Sequence, residues 1–350
     1  MEPRYDLRSD TVTRPSPAMK RSMMEAPLGD DVLGDDPTVQ RLEAMLAERL
    51  GKQAALFFPS GTQANQTAIQ LLTERGTEAL VERRAHVFNY EAGAPAALSG
   101  VQLHPIDTPD GAIRVADLEG RVRPPDPHFP QTRLVCFENT HNGHGGRVYP
   151  IEEMEAASAW ARENGLNVHL DGARLFNAVV ASGVPAERWA ACADTVSICL
   201  SKGLGAPVGT CLAGEAETIG RARWVRKRLG GGMRQVGILA AAGIFALERN
   251  VERLAEDHAA AREIAGALDA MEGLAVDLES VQTNILLIET AAEGPVASEL
   301  VSALAERGVD VLAVGPSTIR AVTHLDVPAD AVIEVPRRFA AALEALDGGA

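Results

Sequence analysis

The segment at residues 195–205 constrains the fold of this chain more than any other. An apolar run rich in β-branched residues leads there into a serine, a lysine and two glycines, and residues 195–200 are predicted to form a buried strand of a parallel sheet. Lys202 follows that strand, at the edge where such sheets present functional groups. A lysine at a strand end is ordinarily solvent-exposed, but a buried ammonium is costly, and a lysine of lowered pKa can form an imine with a carbonyl. The rest of the sequence decides between these two interpretations.

The composition excludes several classes of function. With 350 residues, 46% of them hydrophobic, the chain can bury a full core and is predicted to form two domains or one large domain with a satellite. Its formal net charge of −15 argues against nucleic acid and anionic membranes as partners. No apolar run approaches membrane-spanning length, and the polar first residues predict no signal peptide. Four cysteines without a CxxC pair predict reduced, buried thiols in a cytoplasmic protein.

Apolar runs alternate with amphipathic segments along most of the chain, which predicts an α/β fold with a mostly parallel sheet and helices on both faces. Strands are predicted at 79–81, 101–106, 134–138, 168–171, 195–200 and 210–213, and helices at 151–163, 175–181, 215–229 and, as one long helix, 235–268. A small C-terminal α/β domain follows, with strands at 284–288 and 309–314 and helices at 295–307 and 329–346. The predicted units are an N-terminal arm (1–36), a large domain (37–272) and a small domain (273–350).

Asp171 provides a second functional group at the same predicted edge. It ends the strand at residues 168–171 and precedes a glycine, so taken alone it could equally be the N-cap of the next helix. However, Asp171 and Lys202 end two consecutive predicted strands, and a parallel sheet brings the carboxyl ends of its strands to one rim.

A pyridoxal-phosphate cofactor accounts for this pair, because it requires a lysine, a carboxylate for its ring nitrogen and a site for its phosphate. Ser60, Gly61 and Thr62 begin a predicted helix, where free backbone N–H groups and two hydroxyls can bind phosphate, although such a start is often only an N-cap. His86 follows the strand at residues 79–81 and could stack on the ring, although a lone histidine is more often a solvated loop residue.

Eight motifs spread over nearly the whole chain together resemble those of the low-specificity L-threonine aldolases, which are fold-type-I pyridoxal-phosphate enzymes related to the β-eliminating lyases. The motifs are DLRSDTVT (6–13), GDDPTV (34–39), PSGT (59–62), ENTHN (138–142), DGAR (171–174), SKGL (201–204), GGGMRQ (230–235) and VTHLDV (322–327). One departure is Leu33, which stands where the family usually has a tyrosine and leaves the side-chain preference open.

The resemblance implies a role for each matching residue. Lys202 would hold the cofactor, Asp171 its ring nitrogen and His86 its ring face. The phosphate would be bound by Ser60, Gly61 and Thr62, and Lys227 and Arg234 of a partner subunit would also approach it. The substrate carboxylate would be bound by Ser9, Arg174 and Arg320, of which Arg174 would also contact the cofactor. His128 would lie near the substrate hydroxyl.

The implied activity is retro-aldol cleavage of L-threonine and L-allo-threonine to glycine and acetaldehyde, with His128 or His86 as the base, in a cytoplasmic homotetramer built as a dimer of dimers. A β-eliminating lyase or an aminotransferase that acts on another amino acid would share Lys202 and Asp171 and remains an alternative. A catalytically inactive relative is a further alternative, which the complete set of lysine, aspartate and phosphate-site residues disfavours.

His141 and His144 have a spacing that also occurs in metal sites. They lie in a glycine-rich turn without a third ligand nearby in the sequence, so that a structural role is favoured on ligand count and no metal is predicted.

Overall fold

The structure of the protein is a computed structural model, which describes residues 3–292 and 294–347. The strands are β1 Tyr5–Asp6, β2 Ala54–Phe58, β3 Glu78–Glu82, β4 Gln102–Ile106, β5 Thr132–Glu138, β6 Asn167–Asp171, β7 Thr195–Cys199, β8 Thr210–Gly214, β9 Leu274–Ala275, β10 Ile285–Thr290, β11 Val309–Asp310, β12 Leu312–Ala313 and β13 Thr318–Val322. The helices are α1 Pro17–Met24, α2 Pro37–Arg49, α3 Gly61–Leu72, α4 His86–Asn89, α5 Val115–Leu118, α6 Ile151–Glu163, α7 Leu175–Ser182, α8 Ala186–Ala191, α9 Ala216–Arg228, α10 Gly237–Arg249, α11 Leu254–Asp269, α12 Ala297–Glu306 and α13 Ala331–Asp347.

A seven-stranded sheet in the order β2-β8-β7-β6-β5-β3-β4 forms the centre of the molecule. Six strands run parallel, and β8 runs antiparallel to both of its neighbours. Side chains of β2 alternate between two apolar clusters, since Phe57 packs in one and Leu56 and Phe58 in the other, so that both faces of the sheet are covered. This arrangement confirms the predicted α/β fold with a mostly parallel sheet.

The pairing of β6 with β7 sets the position of the candidate site. Asp171 is opposite Ser197 in this register, and both strands end at the same rim of the sheet. α3 begins at Gly61 directly after β2, with Ser60 as its N-cap, and packs against both β7 and β8. The sheet therefore brings the N-terminus of α3 and the ends of β6 and β7 to one region.

A second, antiparallel sheet in the order β12-β13-β10-β9 forms the C-terminal part of the chain. The N-terminal arm packs against this part of the chain, because β1 pairs in parallel with β11 in a separate two-stranded sheet. The side chains of Tyr5 and Leu7 are buried in the apolar core of the C-terminal part. The second half of α11 packs in the same core. The domain division at residues 36 and 272 stays a prediction.

The predicted single helix at 235–268 is wrong, because the chain turns between α10 and α11. The side chain of Asn250 donates a hydrogen bond to the carbonyl of Leu204 (2.8 Å) where α10 ends, and the N–H of Leu254 then bonds to the carbonyl of Val251 (3.1 Å). The predicted strand at 309–314 is divided into β11 and β12. The N-terminal arm contains an α-helix, α1, which begins after the N-cap Ser16.

All four cysteines are buried and free, as the sequence predicted. Among the described residues, no helix combines the length and the apolar character needed to cross a membrane.

Candidate active site

A narrow pocket lies where the N-terminus of α3 meets the carboxyl ends of β5, β6 and β7. Its lining includes Gly61, Asn65, His86, Asp171, Arg174 and Lys202. Lys202 lies in the turn after β7, and its carbonyl oxygen accepts a hydrogen bond from the hydroxyl of Thr13 (2.9 Å), which ties the N-terminal arm to this turn. The structure therefore brings together the lysine, the aspartate, the histidine beside them and the glycine of the predicted phosphate site.

Asp171 is buried at the floor of this pocket and is held by two hydrogen bonds. Its Oδ2 accepts from the side-chain amide of Asn65 (2.7 Å) and its Oδ1 from the backbone N–H of Ala173 (3.1 Å). Burial by itself would raise the pKa of this carboxyl, but the nearby His86 and Lys202 outweigh burial, and the pKa is lowered. Asp171 is therefore a buried anion that suits a protonated ring nitrogen.

The side chain of Asn65 connects Asp171 to its surroundings. Its amide nitrogen also donates to Oε1 of Glu91 (2.8 Å), and its Oδ1 accepts from the hydroxyl of Ser197 (2.8 Å) and lies 3.1 Å from Nε2 of His169. Burial lowers the pKa of His169 to about 4, so the ring is neutral and can donate through Nε2 while Nδ1 faces the hydroxyl of Thr195 (2.9 Å). Asn65 was not predicted from the sequence, although it lies in the same helix, α3, as the predicted phosphate site.

His86 is the first residue of α4 and is fixed at two points. Its Nδ1 lies 2.9 Å from Oε1 of Glu91, and its backbone N–H donates to Oε2 of Glu138 (2.6 Å). Burial would lower the pKa of His86, but the Glu91 hydrogen bond and the charges of Asp171 and Glu138 raise it above the ordinary 6.5. The imidazole thus faces the pocket in a position where it can exchange a proton.

The predicted phosphate site is the N-terminus of α3. Ser60 caps the helix by accepting a hydrogen bond from the N–H of Gln63 (3.2 Å), and the first N–H groups of any helix lack partners inside the helix. A Cβ at Gly61 would lie 3.0 Å from the sulfur of Cys199, closer than side chains normally pack. Glycine therefore lets the helix start lie close to β7 and to Lys202.

Two guanidinium groups converge beside the pocket, but the protein neutralises one of them. Arg174 forms a buried bidentate ion pair with Asp10 (2.6 and 2.7 Å). Arg320 donates to Oδ1 of Asn142 (3.3 Å), to which Arg174 also donates (3.1 Å), and to the carbonyl of Arg8 (3.2 Å). Within the described part of the chain, Arg320 has no carboxylate within 4.0 Å, and its Nε has no hydrogen-bond partner. Burial and the charge of Arg174 lower the pKa of Arg320, which indicates a site that favours an additional anion.

This chain is similar to known proteins over most of its length. The sequence model of the family described as "Beta-eliminating lyase" matches residues 6–291. The chain belongs to this family. It is 46% identical over 342 residues to the low specificity L-threonine aldolase of Escherichia coli K12, covering 97% of this chain and 99% of that one. It is 45% identical over 324 residues to the probable low-specificity L-threonine aldolase 2 of Arabidopsis thaliana, covering 91% of each.

These relatives place the chain among the low-specificity threonine aldolases of the beta-eliminating lyase family, which confirms the resemblance drawn from the motifs. A solved structure of Leishmania major threonine aldolase matches the fold with a TM-score of 0.81, at 23% identity and over 98% of this chain and 99% of that one. The fold is therefore that of solved threonine aldolases.

Three residues to which the resemblance assigned a role, together with Leu33, are not among the residues that line this pocket. His128, expected near the substrate hydroxyl, has a side chain that is 84% exposed and contacts Asp126 (2.7 Å), because it belongs to a loop that projects into solvent. Lys227 and Arg234 are exposed, and Arg234 pairs with Asp30 (3.0 Å). Leu33, in place of the family's tyrosine, is 76% exposed.

Ser9, which the resemblance assigned to the substrate carboxylate, directly precedes Asp10, the ion-pair partner of Arg174. Its hydroxyl accepts from the N–H of Thr11 (3.2 Å) and caps a short 3-10 turn. The sequence reading missed Asp10, Glu138 and Asn142 as individual residues, although all three lie in motifs that it singled out.

Proposed function

We propose that this protein is a pyridoxal-phosphate-dependent threonine aldolase that cleaves L-threonine and L-allo-threonine to glycine and acetaldehyde. The observation that carries the proposal is the common pocket of Lys202 and Asp171, at the ends of the adjacent strands β7 and β6 and beside the N-terminus of α3. The names of the relatives from Escherichia coli and Arabidopsis thaliana support the substrate.

The residues present fit this cofactor. The buried Asp171 carboxylate, with its lowered pKa, would hold the protonated ring nitrogen, and the Ser60–Gly61–Thr62 segment would hold the phosphate at the positive end of α3. Lys202 would attach the cofactor covalently, and His86 would lie against its ring. When bound, pyridoxal phosphate supplies an electron sink for the substrate Cα.

The chain's own residues would orient the substrate. Arg320, which has no carboxylate partner among the described residues, would bind the substrate carboxylate in a bidentate manner, with Ser9 and Arg174 beside it. Fixing the carboxylate would set the rotation about the N–Cα bond of the substrate and so select the bond to Cβ for cleavage. Such positioning contributes a large part of the rate.

The structure favours His86 over His128 as the group that takes the proton of the β-hydroxyl, directly or through a water. His86 lines the pocket, whereas the side chain of His128 is largely in solvent. General-base assistance of this kind contributes about 10²–10⁴-fold.

The assembly is proposed to be a homotetramer in which Lys227 and Arg234 of one subunit approach the cofactor phosphate of another. Their exposure in a single chain supports this role. A cytoplasmic location is supported by the four free, buried thiols.

Borohydride reduction tests the proposal, because it fixes the cofactor to the lysine that holds it. Peptide mapping of the reduced holoenzyme is expected to find the label on Lys202, and Lys202→Ala is expected to lose it. A label on Lys227, or no label, would contradict the assignment.

β-Elimination is the second candidate function, because the matching family is named for it. It would convert threonine to 2-oxobutanoate and ammonia rather than to glycine.

A further inference from the structure

A buried cluster of three potential metal ligands lies next to the pocket but takes no part in the chemistry described above. It consists of Glu82, the last residue of β3, and of His141 and His144 in the loop after β5. Nε2 of His141 lies 2.9 Å from Oε2 of Glu82, and Nε2 of His144 lies 3.2 Å from Oε1. The three side chains are 3%, 3% and 8% exposed, so water reaches them poorly.

The hydrogen bonds inside the protein do not satisfy this cluster. Nε2 of His141 meets Oε2 of Glu82 as an ion-pair contact (2.9 Å), but in the part of the chain that the structure describes neither ring nitrogen of His141 has a partner with good hydrogen-bond geometry. A buried ring nitrogen without a well-formed hydrogen bond is costly. The cluster therefore has an unfilled requirement that a bound cation would meet.

The ligand set is one that zinc and similar cations prefer. Imidazole nitrogens and a carboxylate oxygen bind Zn²⁺ at about 2.0–2.2 Å, and ligand atoms of a tetrahedral site then lie about 3.3 Å apart. The distances of 2.9 and 3.2 Å between the nitrogens of His141 and His144 and the oxygens of Glu82 are close to that separation. The sequence shows no third ligand near His141 and His144, and the fold supplies one, Glu82, from the end of β3.

We propose that Glu82, His141 and His144 form a binding site for a zinc-class divalent cation, with water completing the coordination. The backbone is shaped for these side chains. Gly111, at a φ of +90°, lies where an added Cβ would be 2.6 Å from Cγ of His141, so only glycine lets this ring into its position. The N–H of Arg84 donates to Oε2 of Glu82 (2.5 Å) and fixes the carboxylate.

The site would stabilise one wall of the pocket. Asn142, which directly follows His141, has its backbone N–H held by Oε1 of Glu138 (2.8 Å), and its side-chain oxygen accepts from Arg174 and Arg320. A cation on His141 would therefore fix the loop that positions these two arginines. The binding site itself does not depend on the proposed reaction.

Metal binding by tag-free holoenzyme tests the proposal. After treatment with a chelator, Zn²⁺ is titrated back and bound metal is measured by elemental analysis, and Co²⁺ is added separately to record the visible absorption of tetrahedral coordination. We expect one tightly bound Zn²⁺ per chain and an affinity at least about tenfold lower in Glu82→Gln and in His144→Asn. The matched control is His104→Asn, a histidine that also contacts a glutamate of β3 but lies outside the cluster; it should bind as the parent does.

Two results would overturn the proposal. The first is equal Zn²⁺ binding by the parent and by Glu82→Gln, which would place any metal elsewhere. The second is the absence of saturable Zn²⁺ and Co²⁺ uptake by the parent protein, and this result decides the question even if the variants do not fold.

Discussion

At the scale of single residues, the two arginines beside the candidate site differ in whether the protein supplies a carboxylate partner. Asp10 neutralises Arg174, whereas Arg320 has only the neutral oxygens of Asn142 and Arg8 as acceptors in the described structure. Arg320→Lys is therefore expected to keep the fold and the cofactor but to lower kcat/KM for threonine by about 10–100-fold, the loss of a charge-assisted hydrogen bond. Steady-state kinetics and the cofactor absorbance measure both. A variant that unfolds, or that cleaves threonine as the parent does, would assign Arg320 a structural role.

His86 gives a second prediction at this scale. As the base it must be neutral, and its pKa is raised above 6.5, chiefly by the Glu91 hydrogen bond acting against burial. Activity is therefore expected to rise with pH through a value above 6.5. Glu91→Gln removes this carboxylate and should move the acidic limb of the kcat/KM profile to lower pH. A limb that stays in place in Glu91→Gln would exclude His86 as the titrating group.

At the scale of elements, a buried neutral histidine links β6 to β7, since Nδ1 of His169 lies 2.9 Å from the hydroxyl of Thr195. Burial lowers the pKa of His169 to about 4 from the ordinary 6.5. Between these two pH values the unfolded chain binds a proton that the folded chain does not. The free energy of unfolding is therefore unaffected by His169 above pH 6.5 and falls as the pH approaches 4, by up to about 3 kcal/mol. Denaturant unfolding over this range is expected to show a weaker pH dependence for His169→Gln. An unchanged slope in that variant would contradict the assignment.

The elements also show what the sequence could and could not predict. The strand ending in Asp171 and the strand before Lys202 were predictable, because apolar runs and the geometry of parallel sheets are local and general. The turn between α10 and α11 was not, because it depends on a tertiary hydrogen bond from Asn250. Glu82 joins His141 only through folding, since neighbouring strands bring together residues that are far apart in the chain. The placement of His128 rested on a motif, and a motif does not specify the direction of its loop.

At the scale of the whole molecule, the proposed site is shared between at least two chains. Lys227 and Arg234 are exposed, and the proposal has them act on a partner's cofactor. Mixing the inactive variants Lys202→Ala and Arg234→Ala is expected to restore part of the activity, because some mixed assemblies contain one site with both residues intact. The measurement is threonine cleavage after mixing, with mass spectrometry to show that mixed assemblies form. Mixed assemblies without activity would contradict the shared site.

Product analysis tests the central claim most directly. The purified holoenzyme is incubated separately with L-threonine and with L-allo-threonine, and glycine, acetaldehyde, 2-oxobutanoate and ammonia are quantified, with Lys202→Ala as the control. We expect equal amounts of glycine and acetaldehyde from at least one of these substrates and none from the variant. Formation of 2-oxobutanoate and ammonia without glycine, or no product from either amino acid, would contradict it.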